Sequence, residues 1–182
     1  FFLKQKPAEM RVFFFILNVK MNLIMKFQII TVGKKHEKNI EELIADFEKR
    51  IKNNFDLSWS ILKSEDDKDK DVQKKKESEK ILEFLKKEVT PDTHVILLDE
   101  RGEEKSTVDL AKLFEDKMNN GIDKIIFIIG GAFGVEEKVF EKANLTLSLS
   151  KLVFPHQIVR LILVEQIYRC ISILNGGKYH HE

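Results

Sequence analysis

The stretch KIIFIIGGAFG, Lys124 to Gly134, restricts the possible folds of this chain more than any other. Its apolar run falls far short of the roughly 20 residues a membrane helix needs. It also lacks the polar alternation of a strand with one wet face. A short apolar run ending in glycines reads as a strand buried on both faces, and such strands belong to parallel sheets covered by helices on either side.

The rest of the chain supplies the partners. KFQIITV (Lys26–Val32) is a β-rich strand ended by Gly33. FDLSWSIL (Phe55–Leu62) alternates Phe55, Leu57, Trp59 and Ile61 as a half-buried strand. HVILLDERG (His94–Gly102) reads as a compact apolar strand closing in a turn, and TLSLSKLVF (Thr146–Phe154) as a final strand and loop. Helical spacing joins Ile40, Leu43, Ile44, Phe47 and Ile51. The dense charge of KSEDDKDKDVQKKKESEK (Lys63–Lys80) predicts a solvated loop running into a surface helix, with Ile81, Leu82, Phe84 and Leu85 turned inward. Ser106 and Asp109 cap a helix that runs to about Asn119, where Gly121 stops it. A short helix spans about Val135 to Lys142. Pro155 opens the last long helix at its first turn, and Asn175, Gly176 and Gly177 close it. Strands alternating with helices give an α/β class with a mainly parallel sheet.

At 182 residues this is a one-domain length. A formal charge of +1 excludes a bulk-basic protein that grips nucleic acid by net attraction, though not a local basic surface. The single cysteine, Cys170, excludes an intrachain disulfide and a cysteine-cluster metal site, and on an apolar helix it reads as a buried reduced thiol of a cytosolic protein. Residues 1–24 open on Phe1 and carry VFFFIL behind lysines, interrupted by Asn18 and Lys20. They are expected to lie outside the functional fold, with the start at Met25 or Met21; a weak membrane-targeting role is the other reading.

Chemistry concentrates in three places. GGAFG follows a buried strand and opens a helix, so its backbone N–H groups can meet a ligand at close range; a plain tight turn is the competing reading. It carries neither the dinucleotide fingerprint nor a phosphate-loop lysine. With LLDERG it places a crevice at the carboxyl edge of the sheet, where α/β folds bind ligands. On the last helix His156, Arg160 and Leu163 share a face, while Glu165 and Arg169 stand four apart as a candidate ion pair. The tail KYHHE offers Tyr179, His180 and His181, which suit stacking on an unpaired base better than metal binding.

IIGGAFG, SLSKLVFPHQIVRLILVEQIYR and NGGKYHHE, in that order, resemble the RlmH (YbeA) family of SPOUT-class ribosomal RNA methyltransferases, with the resemblance running from Met25 to Glu182. It implies a SPOUT-type α/β domain with a C-terminal trefoil knot, a homodimer whose sites are completed across the seam, and a cytoplasmic enzyme. It implies S-adenosylmethionine as cofactor, without a metal, held by Leu98, Gly130 and the segment Leu149, Ser150, Lys151, Leu152, Val153 and Phe154. The implied reaction is methylation of N3 of a pseudouridine in large-subunit ribosomal RNA within the ribosome. His156 is then the candidate for positioning or accepting the N3 proton. Arg160 would stabilise charge on the neighbouring carbonyls or hold phosphate, and Tyr179 and His180 would hold the base or flanking RNA. The alternatives are the same fold and cofactor acting on another RNA, such as transfer RNA, and a non-catalytic cofactor- or RNA-binding protein.

Overall fold

The computed structural model describes residues 25–52 and 55–177. Five strands form one sheet: β1 (Lys26–Val32), β2 (Asp56–Leu62), β3 (Thr93–Glu104), β4 (Lys124–Ile129) and β5 (Leu145–Ser148). Their order is β2-β1-β4-β3-β5, and all four neighbouring pairs are parallel. The apolar run KIIFII is β4, paired on both sides, with Ile125 to Ile129 at most 4% exposed.

Alternation along β4 divides the core. Ile125, Phe127 and Ile129 point to the face covered by α1 (Lys38–Ile51), α3 (Thr107–Asn119) and α5 (His156–Leu174). Ile126 and Ile128 point to the other face, with Ile81 and Leu85 of α2 (Lys70–Glu88) and Val139 of α4 (Glu137–Phe140). Each such side chain contributes roughly 1.5–3 kcal/mol through burial, so a charge at any of them would break the sheet. Cys170 is buried on α5, and burial pushes its thiol up to about 12. Among the described residues no helix is long and apolar enough to cross a membrane.

Four local expectations change. LLDERG is not a terminal turn: β3 continues to Glu104, and its register with β5 jumps from Leu98↔Leu147 to Glu103↔Leu147, so residues 99–102 bulge out. Gly102 permits this, because a Cβ there would sit 2.7 Å from the backbone of Thr146 and Leu147. Leu43 is 51% exposed, since helical spacing alone does not say which edge of a stripe reaches the core. α4 is a single turn, shorter than Val135–Lys142. Pro155 is the N-cap of α5 rather than its first helical residue, and its carbonyl accepts from the N–H groups of Ile158 and Val159. Ser106 caps α3, Gly121 follows it with φ +83°, and Gly176 follows α5 with φ +70°.

Candidate active site

β3, β4 and β5 end on one edge of the sheet, and a cleft of about 650 Å³ opens there. β4 delivers its glycine turn into it. The Gly134 N–H donates to the Gly131 carbonyl at 3.0 Å, and Gly134 has φ +75°. A Cβ on Gly130 would meet Val135 Cγ1 at 2.7 Å, so a side chain there is blocked. The second wall comes from β3: Leu98, then the bulge with Asp99, Glu100 and Arg101. Arg101 donates to Asp99 through its backbone N–H at 3.0 Å and its guanidinium at 2.7 and 3.0 Å, and packs 4.5 Å from the Phe140 ring centroid. Burial opposes the charge on Asp99, but these bonds outweigh it and hold the carboxyl below its ordinary value.

The segment after β5 forms the third wall. The Ser148 hydroxyl donates to the Ser150 carbonyl at 3.0 Å, and the Leu152 N–H donates to the Ser150 hydroxyl at 3.0 Å. Among the described residues, 150–154 make no backbone-to-backbone hydrogen bond, so apart from the Ser150 carbonyl and the Leu152 N–H their backbone groups are left for a ligand. Leu149 and Phe154 are half-buried in the cleft lining, whereas Leu152 and Val153 stand 69% and 83% exposed at its rim. Leu98, Gly130, Leu149, Ser150, Leu152, Val153 and Phe154 therefore converge on one cleft. Lys151 is exposed and does not line it.

His156, the first residue of α5, lies half-buried where that cleft meets a second one. Burial pushes its imidazole below the ordinary histidine value. A hydrogen bond with the Gly131 backbone works against that, the charge of Arg160 adds to it, and the Glu77 carboxylate opposes it. The net result is a neutral imidazole at neutral pH, able to take a proton. Arg160, one turn on, is only 1% exposed; its Nη1 donates to the Lys34 carbonyl at 2.9 Å, and its Nε is buried without a partner among the described residues. Gly33 makes room for it, since a Cβ there would approach the guanidinium at 3.2 Å. So deep a guanidinium suits a group inside a cleft rather than a phosphate on the surface. Glu165 and Arg169 pair with each other at 2.6 Å and line neither cleft. Tyr179 and His180 lie outside the described residues.

Glu77 is the residue that the sequence reading missed. It sits in the charged run read as solvated, yet it is 1% exposed and its carboxylate reaches the glycine turn, where a Cβ on Gly131 would coincide with it. Its spacing from Ile81 and Leu85, four and eight residues on, was the available signal.

The residues suit a ligand with a flat aromatic ring and a cationic centre, such as S-adenosylmethionine. The cleft joins a glycine wall that no side chain fills, apolar surface from Leu98, Leu149 and Phe154, backbone groups without a backbone partner and the Glu100 carboxylate of the bulge. Among the described residues no group of three or more His, Cys, Asp or Glu could hold a metal.

Known proteins share this chain's sequence over most of its length. The family described as "Predicted SPOUT methyltransferase" matches residues 25–180. A "Ribosomal RNA large subunit methyltransferase H" of Bacteroides thetaiotaomicron is 40% identical over 161 residues, covering 87% of this chain and all of that protein. Proteins of the same name from Flavobacterium psychrophilum and Bacillus pumilus are each 38% identical, covering 87% and 86% of this chain and 100% and 99% of their own lengths. A glycine-lined cleft at the carboxyl edge of a parallel sheet, and a match over nearly every described residue, place this chain in the SPOUT methyltransferase family.

Proposed function

We propose that the protein transfers a methyl group from S-adenosylmethionine to N3 of a pseudouridine in large-subunit ribosomal RNA, acting on the ribosome as a homodimer with a knotted C-terminal half. The observation that carries this reading is the glycine-walled cleft that ends at a half-buried His156, whose imidazole burial holds below its ordinary value. The large-subunit ribosomal RNA methyltransferases to which the chain is about 40% identical supply the substrate class.

Leu98, Gly130 and the residues from Leu149 to Phe154 that line the cleft would hold the cofactor through backbone groups and apolar contacts. When bound, it supplies a methyl carbon activated by a sulfonium, and leaves as S-adenosylhomocysteine. The chain must then deal with the proton on N3, because an imide nitrogen is nucleophilic only as that proton departs. His156 accepts it as the N–C bond forms. Arg160 favours the negative charge that spreads onto the adjacent carbonyl oxygen. Tyr179 and His180 are assigned to the extruded base or its flanking nucleotides.

The test is incubation with methyl-labelled S-adenosylmethionine and ribosomes that carry or lack the pseudouridine. Label on pseudouridylated large-subunit RNA alone is the expected result. Label on transfer RNA would favour a different RNA target, and no label on any RNA would favour a non-catalytic binding protein.

A further inference from the structure

A second cleft of about 350 Å³ opens behind the glycine turn, past the ends of β1 and β2, and it shares Gly131, Ala132 and His156 with the first. Two buried opposite charges line it without meeting. Glu77 and Arg160 are each 1% exposed, yet among the described residues neither takes part in an ion pair. Glu77 uses one carboxylate oxygen fully: Oε1 accepts from the Glu65 N–H and the Gln73 amide, both at 3.0 Å. Its Oε2 is buried with no partner among the described residues, and so is Arg160 Nε. Buried charges normally pair, because desolvation weighs heavily against an isolated one. Here they are held apart by fixed backbone partners, and His156 feels both of them. Acceptor, imidazole and cation thus line one cavity beside the cofactor cleft.

Pseudouridine presents a complementary edge. Its glycosidic bond is to carbon, so the ring runs N1–H donor, carbonyl, N3–H donor, carbonyl. We propose that the second cleft is the acceptor-base subsite, in which Glu77 Oε2 accepts the N1–H that only pseudouridine has, while His156 faces N3–H and Arg160 faces the carbonyl beyond it. This rests on the reading above and adds the residue that tells pseudouridine from uridine. Uridine has no N1–H, because that nitrogen carries its sugar, and would leave Oε2 buried and unpaired. Sites built around a ligand donor reject the analogue that lacks it strongly.

The experiment compares wild type and Glu77→Gln on ribosomes with pseudouridine or uridine at the target, alongside cofactor titration and thermal melting of each protein. The amide keeps the Oε1 contacts but opposes a donor to N1–H. Glu77→Gln should keep the melt and cofactor affinity, lose at least about tenfold in kcat/KM on pseudouridine, and lose most of its preference over uridine. A variant that keeps the wild-type preference overturns the inference and leaves the methyltransferase reading intact. Wild type that labels no ribosomal RNA overturns both. If Glu77→Gln melts early, wild type decides: free pseudouridine should inhibit the ribosome reaction at least about tenfold better than 1-methylpseudouridine or uridine. Equal inhibition by all three overturns the assignment.

Discussion

His156 combines burial, a backbone partner and two nearby charges of opposite sign. His156→Ala should bind cofactor as wild type does and lose about 10²- to 10⁴-fold in turnover, read from single-turnover label transfer. The pH profile follows from the direction of the shift: an imidazole held below its ordinary value stays neutral at neutral pH, so activity falls only on the acid side. The rate should drop below about pH 6.5, and an acid limb well above that value would exclude His156 as the proton acceptor. His156 and Arg160 could be found in the sequence because their spacing stands out on an apolar helix. Composition does not tell Glu77 from its charged neighbours in KKKESEK; its helical spacing from Ile81 and Leu85 puts it on their inward face.

At the scale of elements, the bulge of β3 and the cap of α5 are the points of least tolerance. A Cβ on Gly102 would press against strand backbone, which cannot swing aside. Gly102→Ala should destabilise by about 1–3 kcal/mol and shift Asp99 and Arg101 at the cleft wall, visible as a lower melting temperature together with weaker cofactor binding. Gly176→Ala, with nothing within 4 Å of its Cβ but φ +70°, should cost about 1–2 kcal/mol from backbone strain alone and leave cofactor affinity unchanged. The strands were legible because β4 has no polar residue between Lys124 and Gly130, because Gly33 ends β1, and because β2 alternates Phe55, Leu57, Trp59 and Ile61. β3 was cut short at Gly102 because DERG has turn composition; the pairing that carries it on to Glu104 is made with β5, more than forty residues away.

For the molecule as a whole, burial holds His36, His94 and His156 below the ordinary histidine value, with His94 down to about 4. The unfolded chain therefore binds more protons than the native one below about pH 6.5. Stability from these groups is complete above that pH and is lost as pH falls through the native values. The urea midpoint should decline between about pH 6.5 and 4, and His94→Leu should flatten that decline; a midpoint rising with acid would contradict the burial of His94. The α/β class was legible from alternation alone, whereas the family came from ordered motifs, since no pattern rule derives a cofactor from an apolar helix. The most direct test of the central claim is a crystal structure with S-adenosylmethionine or its demethylated product. Density is predicted between Leu98, Gly130 and residues 149–154, with the sulfur on the His156 side. Cofactor bound elsewhere, or with its sulfur turned away from His156, would contradict the account.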